Sequence, residues 1–253
     1  MLKKYIRDKI INLIENRTNP LKTELSKLRV MYQTMYSESG RINRNQIMNY
    51  AFEFIAKSDL DGSYLEFGCF NGTSFIKAFQ AYQHWLVMAK KNNWKLKPNT
   101  MFAFDSFEGL PELKESDRLI DYDIFDKGQY TCSEETFRKN LNDAGVDMNL
   151  VNIIPGFYSE SLNKNLKAQL SMIKAIIVHI DCDLYSSAHC VLDFVTDLLQ
   201  DGTLILFDDF FCYRGNHNYG VQKAFYEWKH DNNIQASSYL NYSWAGKAFI
   251  INQ

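Results

Sequence analysis

Val178-His179-Ile180-Asp181-Cys182-Asp183-Leu184-Tyr185-Ser186-Ser187 and Leu204-Ile205-Leu206-Phe207-Asp208-Asp209-Phe210 are the two ends of the stretch whose reading decides the fold. Each is an apolar run of strand length that stops in acids. Between them lies a helical pattern of Val191, Phe194, Val195, Leu198 and Leu199, stopped by Asp201-Gly202. Two buried parallel strands would deliver Asp181, Asp183, Asp208 and Asp209 to the same edge of a sheet. Four carboxylates meeting there repel one another and call for a cation. Acids after a strand also serve as caps for the next helix, so the rest of the sequence has to separate the two readings.

Working outward, strands and helices alternate from about Tyr64, which predicts a doubly wound, mostly parallel sheet. The first unit is Tyr64-Leu65-Glu66-Phe67-Gly68-Cys69-Phe70-Asn71-Gly72-Thr73-Ser74, followed by the helix pattern Phe75, Phe79, Tyr82, Leu86. Glycines at this turn let a ligand approach the backbone, and the helix start offers unpaired amides, so the turn reads as a cofactor cradle. It is not the G-x-G-x-x-G of dinucleotide binders. Glu66 disfavours a pyrophosphate and favours a ligand with hydroxyls or a positive charge.

The second strand, Met101 to Asp105, ends where an acid can hydrogen-bond a ribose. Asp105 equally suits a turn ahead of Gly109-Leu110-Pro111. The charged region from Glu112 to Gln129 is long for a connection and is expected to be a lid or substrate loop. Ser133 caps a helix through Phe137 and Leu141. Further strands are expected at Val151 to Phe157, Ala175 to Ile180 and Thr203 to Phe207, with a covering helix over Leu162 to Met172. Ile234 to Tyr242 and Lys247 to Ile251 form an antiparallel hairpin at the sheet edge.

The 253 residues, 46% hydrophobic, suffice for one large domain or a domain with an appended segment. With 28 basic against 30 acidic residues, there is no electrostatic footprint for nucleic acid or an anionic membrane, which favours a small-molecule substrate. Five cysteines without a C-x-x-C indicate neither a disulfide framework nor a zinc site. No apolar stretch approaches the roughly 18 residues of a membrane span, so the chain reads as cytoplasmic. Residues 1–62 are expected to be a helical segment and residues 63–253 the catalytic domain. Leu2, Tyr5, Ile6, Ile10, Leu13 and Ile14, then Leu21, Leu25, Leu28, Tyr32 and Met35, recur at helical spacing, and a third helix spans Gln46 to Ala56. Their apolar faces suit a cover for the sheet edge, a lid over the acceptor pocket, or a homodimer contact.

The series Tyr64-Leu65-Glu66-Phe67-Gly68, Phe104-Asp105-Ser106-Phe107-Glu108-Gly109-Leu110-Pro111, Gly128-Gln129-Tyr130, Pro155-Gly156-Phe157, Asp181-Cys182-Asp183-Leu184-Tyr185-Ser186-Ser187 and Asp208-Asp209 resembles the macrocin O-methyltransferase family. That family includes the sugar O-methyltransferases of mycinamicin and novobiocin biosynthesis. The resemblance runs in the same order from about Tyr64 to Ile251. It implies a class I S-adenosylmethionine fold, Rossmann-like and seven-stranded, with the reversed last strand.

Residue by residue, the resemblance implies divalent-metal ligands at Asp181, Asp208 and Asp209 and a general base at Asp183. It places the methyl donor against Glu66, Gly68, the turn residues Phe70, Thr73 and Ser74, and Asp181, with the ribose at Asp105 and Ser106. Three carboxylates suit a hard cation such as Mg²⁺. The implied reaction is in-line displacement, in which an acceptor hydroxyl on a sugar or sugar-nucleotide-like molecule loses its proton to Asp183 and attacks the sulfonium methyl. If Asp183 is only a helix cap, His179 or His217 becomes the base. A phosphate-type oxygen is the alternative acceptor, with Arg214, Lys127 or Arg118 as anion partners. A nicotinamide-dependent oxidoreductase and a non-catalytic nucleoside-binding protein share the doubly wound expectation.

Overall fold

The computed structural model describes residues 42–252 apart from 98, 120, 122 and 123. The helical patterns expected within 1–41 lie outside the described residues. Strands β1 (Ser63–Phe67), β2 (Met101–Asp105), β3 (Val151–Pro155), β4 (Ala175–Ile180), β5 (Leu204–Phe207), β6 (Gln235–Tyr242) and β7 (Gly246–Asn252) form one sheet of order β3-β2-β1-β4-β5-β7-β6. The first five are parallel, and β7 runs antiparallel between β5 and β6. β1, β2, β4 and β5 are buried along their whole length, which is why they read as apolar runs. The outer strands β3 and β6 mix exposed and half-buried positions, apart from the buried Tyr242 at the end of β6.

Helices cover both faces. On one face, α1 (Arg44–Lys57), α2 (Thr73–Asn92) and α3 (Glu134–Asp143) bury Phe52, Phe75 and Phe137 against Tyr64, Met101, Ile177 and Leu206. α1, the last helix of the expected 1–62 segment, thus packs on the sheet itself. On the other face lie α4 (Tyr158–Ser161), α5 (Lys164–Gln169), α6 (Tyr185–Val195) and α7 (Gly220–Asp231). Phe225 of α7 stacks on Phe249 at 4.3 Å and meets Phe207 and Phe210 edge-on. Such pairs contribute about 0.5–1.5 kcal/mol each beyond their buried area. The covering helix expected over 162–172 is the shorter α5, which starts where the Asn163 side chain accepts the Asn165 and Leu166 amides, and the short helix α4 precedes it. No helix among the described residues is long and apolar enough to cross a membrane.

α1 begins at a capping box two residues earlier than its apolar pattern suggests. Asn43 accepts the Asn45 and Gln46 amides at 2.9 and 3.0 Å, and Gln46 Oε1 accepts the Asn43 amide at 3.1 Å. The chain just before it is clipped to the hairpin, where the Ser243 amide donates to the Ile42 carbonyl at 2.7 Å. Asn43→Ala should therefore lower stability by about 1 kcal/mol, read as a lower urea midpoint with an unchanged slope.

Candidate active site

In this strand order the chain reverses direction across the sheet between β1 and β4, which opens a crevice at the carboxyl ends of the strands. A cavity of about 780 Å³ fills it, large enough for a nucleoside-containing donor beside a second small molecule. Gly68, Phe70, Asp105, Ser106, Asp181, Asp183 and Asp209 all stand on its wall, so the sequence-predicted residues at the ends of β1, β2, β4 and β5 converge.

Gly68 follows β1 with φ +90°, and a Cβ placed there would lie 1.8 Å from the Asp181 carbonyl oxygen. Only glycine allows this approach of backbone to backbone. Asp105 ends β2 and ties the turn down: Oδ2 accepts the Cys69 and Phe70 amides at 2.7 and 2.9 Å, and Oδ1 accepts the Phe107 amide at 2.7 Å. The turn-forming and ligand-binding readings of Asp105 therefore coexist, since roughly one of its four lone-pair positions is left for a ligand hydroxyl. Burial pushes its carboxyl up, against those three bonds. Ser106 donates to the Gly109 carbonyl. Glu66, Thr73 and Ser74 stand off the cavity wall. Glu66 is fully buried and accepts hydrogen bonds from Tyr64 and Ser74, whereas Thr73 is exposed and bonded to Asn71.

The second half of the crevice is acidic. Asp183 sits in the left-handed region at φ +61°, in the tight turn where the Leu184 amide donates to the Cys182 carbonyl at 2.6 Å. A non-glycine residue there is uncommon and is held by the surrounding structure. Burial, then the Asp181 charge, pushes the Asp183 carboxyl up to about 8. Burial with Asp208 and Asp209 raises Asp181, and burial with Asp183 and Asp208 raises Asp209. A carboxyl above its unfolded-state value favours folding only below that value. The advantage is lost as pH rises, here from the ordinary 3.8 toward about 8 for Asp183, so the ionised cluster is stable only beside positive charge.

Two cations supply part of it. His179 lies buried opposite Glu66 in the β1–β4 pairing, with Nε2 2.9 Å from Asp208 Oδ1 and Nδ1 3.3 Å from the Tyr64 hydroxyl and 3.7 Å from Glu66 Oε2. Burial works against its charge, but Asp208 and Glu66 outweigh burial and hold its pKa well above the ordinary value. The Tyr242 hydroxyl donates to the same Asp208 oxygen at 2.6 Å. Burial pushes Asp208 up, but His179, Arg44 and Tyr242 overcome it and hold the carboxyl below its usual range. The second cation, Arg44, is absent from the sequence reading. Its Nε lies 3.0 Å from Asp208 Oδ2 and its Nη2 3.4 Å from Asp209 Oδ1. The sequence held one signal for it: a cation in the first turn of α1 faces the positive helix end, which is unfavourable unless acids lie close by.

The alternatives left open by the sequence narrow here. Asp117, from the long loop, accepts the Ser186 amide and hydroxyl at the start of α6, so Asp183 is not needed as the cap. Asp117 also accepts the Lys114 amide, and its carbonyl accepts the Tyr213 hydroxyl, so this loop is pinned beside the crevice. His179 is engaged by Asp208, and His217 is exposed and off the cavity wall. Lys127 pairs with Glu112 at 2.7 Å, and Arg214 donates to the Asp121 carbonyl. Neither they nor Arg118 line the cavity.

A divalent cation fits this donor set. Asp209 Oδ2 is buried without a hydrogen-bond partner among the described residues, and Asp209 as a whole is 5% exposed on the wall. Ligand atoms of Asp181, Asp208 and His179 lie within 4.8 Å of one another. The oxygens of Asp181, Asp208 and Asp209 would hold a hard cation, whereas the His179 nitrogen is already bonded to Asp208.

A doubly wound sheet with a reversed β7, a glycine turn after β1 and an acid after β2 defines a class I S-adenosylmethionine-dependent methyltransferase. A model of the macrocin-O-methyltransferase (TylF) family matches residues 28–243, and the chain belongs to that family. It is an O-methyltransferase. Among solved structures, the O-methyltransferase NovP is similar at 18% identity and a TM-score of 0.63 over 83% of this chain and 80% of that one. CalS11, a calicheamicin methyltransferase, is similar at 17% identity and 0.65, over 98% and 91%. TomG of tomaymycin synthesis from Streptomyces achromogenes, solved with S-adenosylmethionine, is similar at 13% and 0.50, over 82% and 81%. At these identities the structural likeness is one of fold. No curated protein matches the sequence.

Proposed function

We propose that the chain methylates a hydroxyl of a sugar or sugar-nucleotide-like small molecule with divalent-metal assistance, in bacterial glycan or secondary-metabolite biosynthesis. The observation that carries this reading is the convergence of Asp181, Asp183 and Asp209 on one cavity wall, with the unpartnered Asp209 oxygen beside Asp208. The family supports a sugar acceptor, and one structure of the similar CalS11 describes that protein as a TDP-rhamnose 3'-O-methyltransferase. Of the 1–62 segment, α1 belongs to the methyltransferase domain and the part before it serves as lid or oligomer contact, and the reaction takes place in the cytoplasm.

Gly68, Phe70, Asp105 and Ser106 bind and orient the donor, with Asp105 accepting from a ribose hydroxyl. Glu66, Thr73 and Ser74 shape the turn from beneath, and Asp181 closes it on the acidic side. Asp181, Asp208 and Asp209 would hold Mg²⁺ or a similar ion, which when bound would make an acceptor hydroxyl more acidic. Asp183 takes the hydroxyl proton. The acceptor oxygen forms its bond to the methyl carbon as the carbon–sulfur bond breaks, and the electron pair leaves on sulfur.

The test is mass spectrometry of the purified protein with labelled donor against a panel of nucleotide sugars and free sugars, with and without chelator. A labelled, chelator-sensitive product is expected, and activity unchanged in excess chelator would sink the metal-assisted reading. S-adenosylhomocysteine at about 100 times its dissociation constant should stabilise the fold by about 2.7 kcal/mol, raising Tm by about 5–10 °C. NAD should leave Tm unchanged.

A further inference from the structure

We propose that Arg44 is a built-in competitor of the divalent cation: its guanidinium bridges Asp208 and Asp209 and must give up Asp208 for the ion to bind. The proposal rests on the metal reading above. Its geometry is specific to this chain. One guanidinium reaches two of the three proposed ligands, at 3.0 and 3.4 Å, from a backbone position fixed by the Asn43 capping box and by the Ser243–Ile42 bond. Asp208 Oδ1 is already taken by His179 and Tyr242, so Arg44 occupies the only Asp208 oxygen left to face an ion. On Asp209, Oδ1 receives Arg44 and the Cys212 thiol, and Oδ2 is unpartnered among the described residues. An ion that takes Asp208 Oδ2 therefore meets the guanidinium there, whereas Asp209 offers it the open Oδ2. The Arg44 side chain is 47% exposed and lines the cavity, so it can swing into the crevice without repacking the core.

Competition has a quantitative consequence. The apparent metal affinity is the intrinsic affinity multiplied by the fraction of molecules in which Arg44 has left Asp208. In return, Arg44 keeps the acids together when no metal is bound, since like charges left uncompensated at this depth destabilise the fold.

The experiment is titration of the full chain with Mn²⁺, read by the loss of free-ion paramagnetic signal, together with Tm measured with and without the ion. For R44Q the metal dissociation constant should tighten by roughly 10- to 100-fold, the cost of one charge-assisted contact having been removed. Metal-free R44Q should melt several degrees below the parent, and saturating Mn²⁺ should close most of that gap. R44K, which reaches one carboxylate rather than two, should fall between them and carries the test if R44Q does not fold without metal. S-adenosylhomocysteine binding by both variants reports an intact donor crevice. If the parent binds Mn²⁺ and R44Q binds it equally or more weakly, the competition is overturned and the metal reading stands. If neither binds Mn²⁺, both fall together.

Discussion

Asp183→Asn is expected to lower methyl transfer by about 10²- to 10⁴-fold while leaving S-adenosylhomocysteine binding nearly intact. Asparagine has the same shape and tolerates the left-handed backbone at φ +61°, so the turn between β4 and α6 survives. What it loses is a basic oxygen on the cavity wall. The start of α6 is unaffected, because Asp117 accepts the Ser186 amide. Stability should not fall, since the substitution removes one of four crowded acids, and a Tm equal to or above that of the parent separates loss of chemistry from loss of fold. Single-turnover kinetics with labelled donor measures the chemical step directly. A fully active variant would reject Asp183 as the base.

Gly68→Ala should be the most damaging small substitution in the donor half. Its Cβ would stand 1.8 Å from the Asp181 carbonyl oxygen, which is backbone just past the end of β4 and has no rotamer to retreat into. Both ends of the clash are held: the Gly68 amide donates to the Phe104 carbonyl at 2.9 Å, and the Asp181 amide to the Phe67 carbonyl at 2.8 Å. An alanine at φ +90° adds backbone strain of about 1–2 kcal/mol to an overpacking cost of about 1–3 kcal/mol. A loss of about 2–5 kcal/mol of stability is expected, together with severe loss of donor binding. Relief of the clash must part the ends of β1 and β4, which carry the turn and Asp181. Denaturant unfolding and calorimetric titration with S-adenosylhomocysteine measure the two effects. A variant of parental stability and affinity would show that the two backbones are not in contact in solution.

The Arg44 substitution differs from both in kind. It is expected to strengthen metal binding while weakening the metal-free fold, whereas Asp183→Asn alters chemistry and Gly68→Ala alters shape.

Much of the scaffold was legible in the residues. Runs such as Ala175 to Ile180 can only be strands covered on both faces, and the alternation of such runs with helical patterns dictates parallel crossovers. Carboxylates directly after the strands must then meet at one edge, and Gly68 marked a turn where two backbones approach closely. The short helix α4 was not legible, because four residues are too few to show a helical period.

By itself, then, the sequence determined the sheet, the edge at which its chemistry lies and the four acids gathered there, because periodicity and strand ends are local properties of the chain. Which partners these acids keep was decided only in three dimensions. Asp117, 69 residues before Ser186, takes the capping role that Asp183 was free to take. His179 and Tyr242 converge on one oxygen of Asp208, and Arg44, 164 residues before Asp208 in the chain, supplies the charge that the acids require. These partners are brought together by packing of distant elements, and charge acts through space with a strength set by burial rather than by position in the sequence.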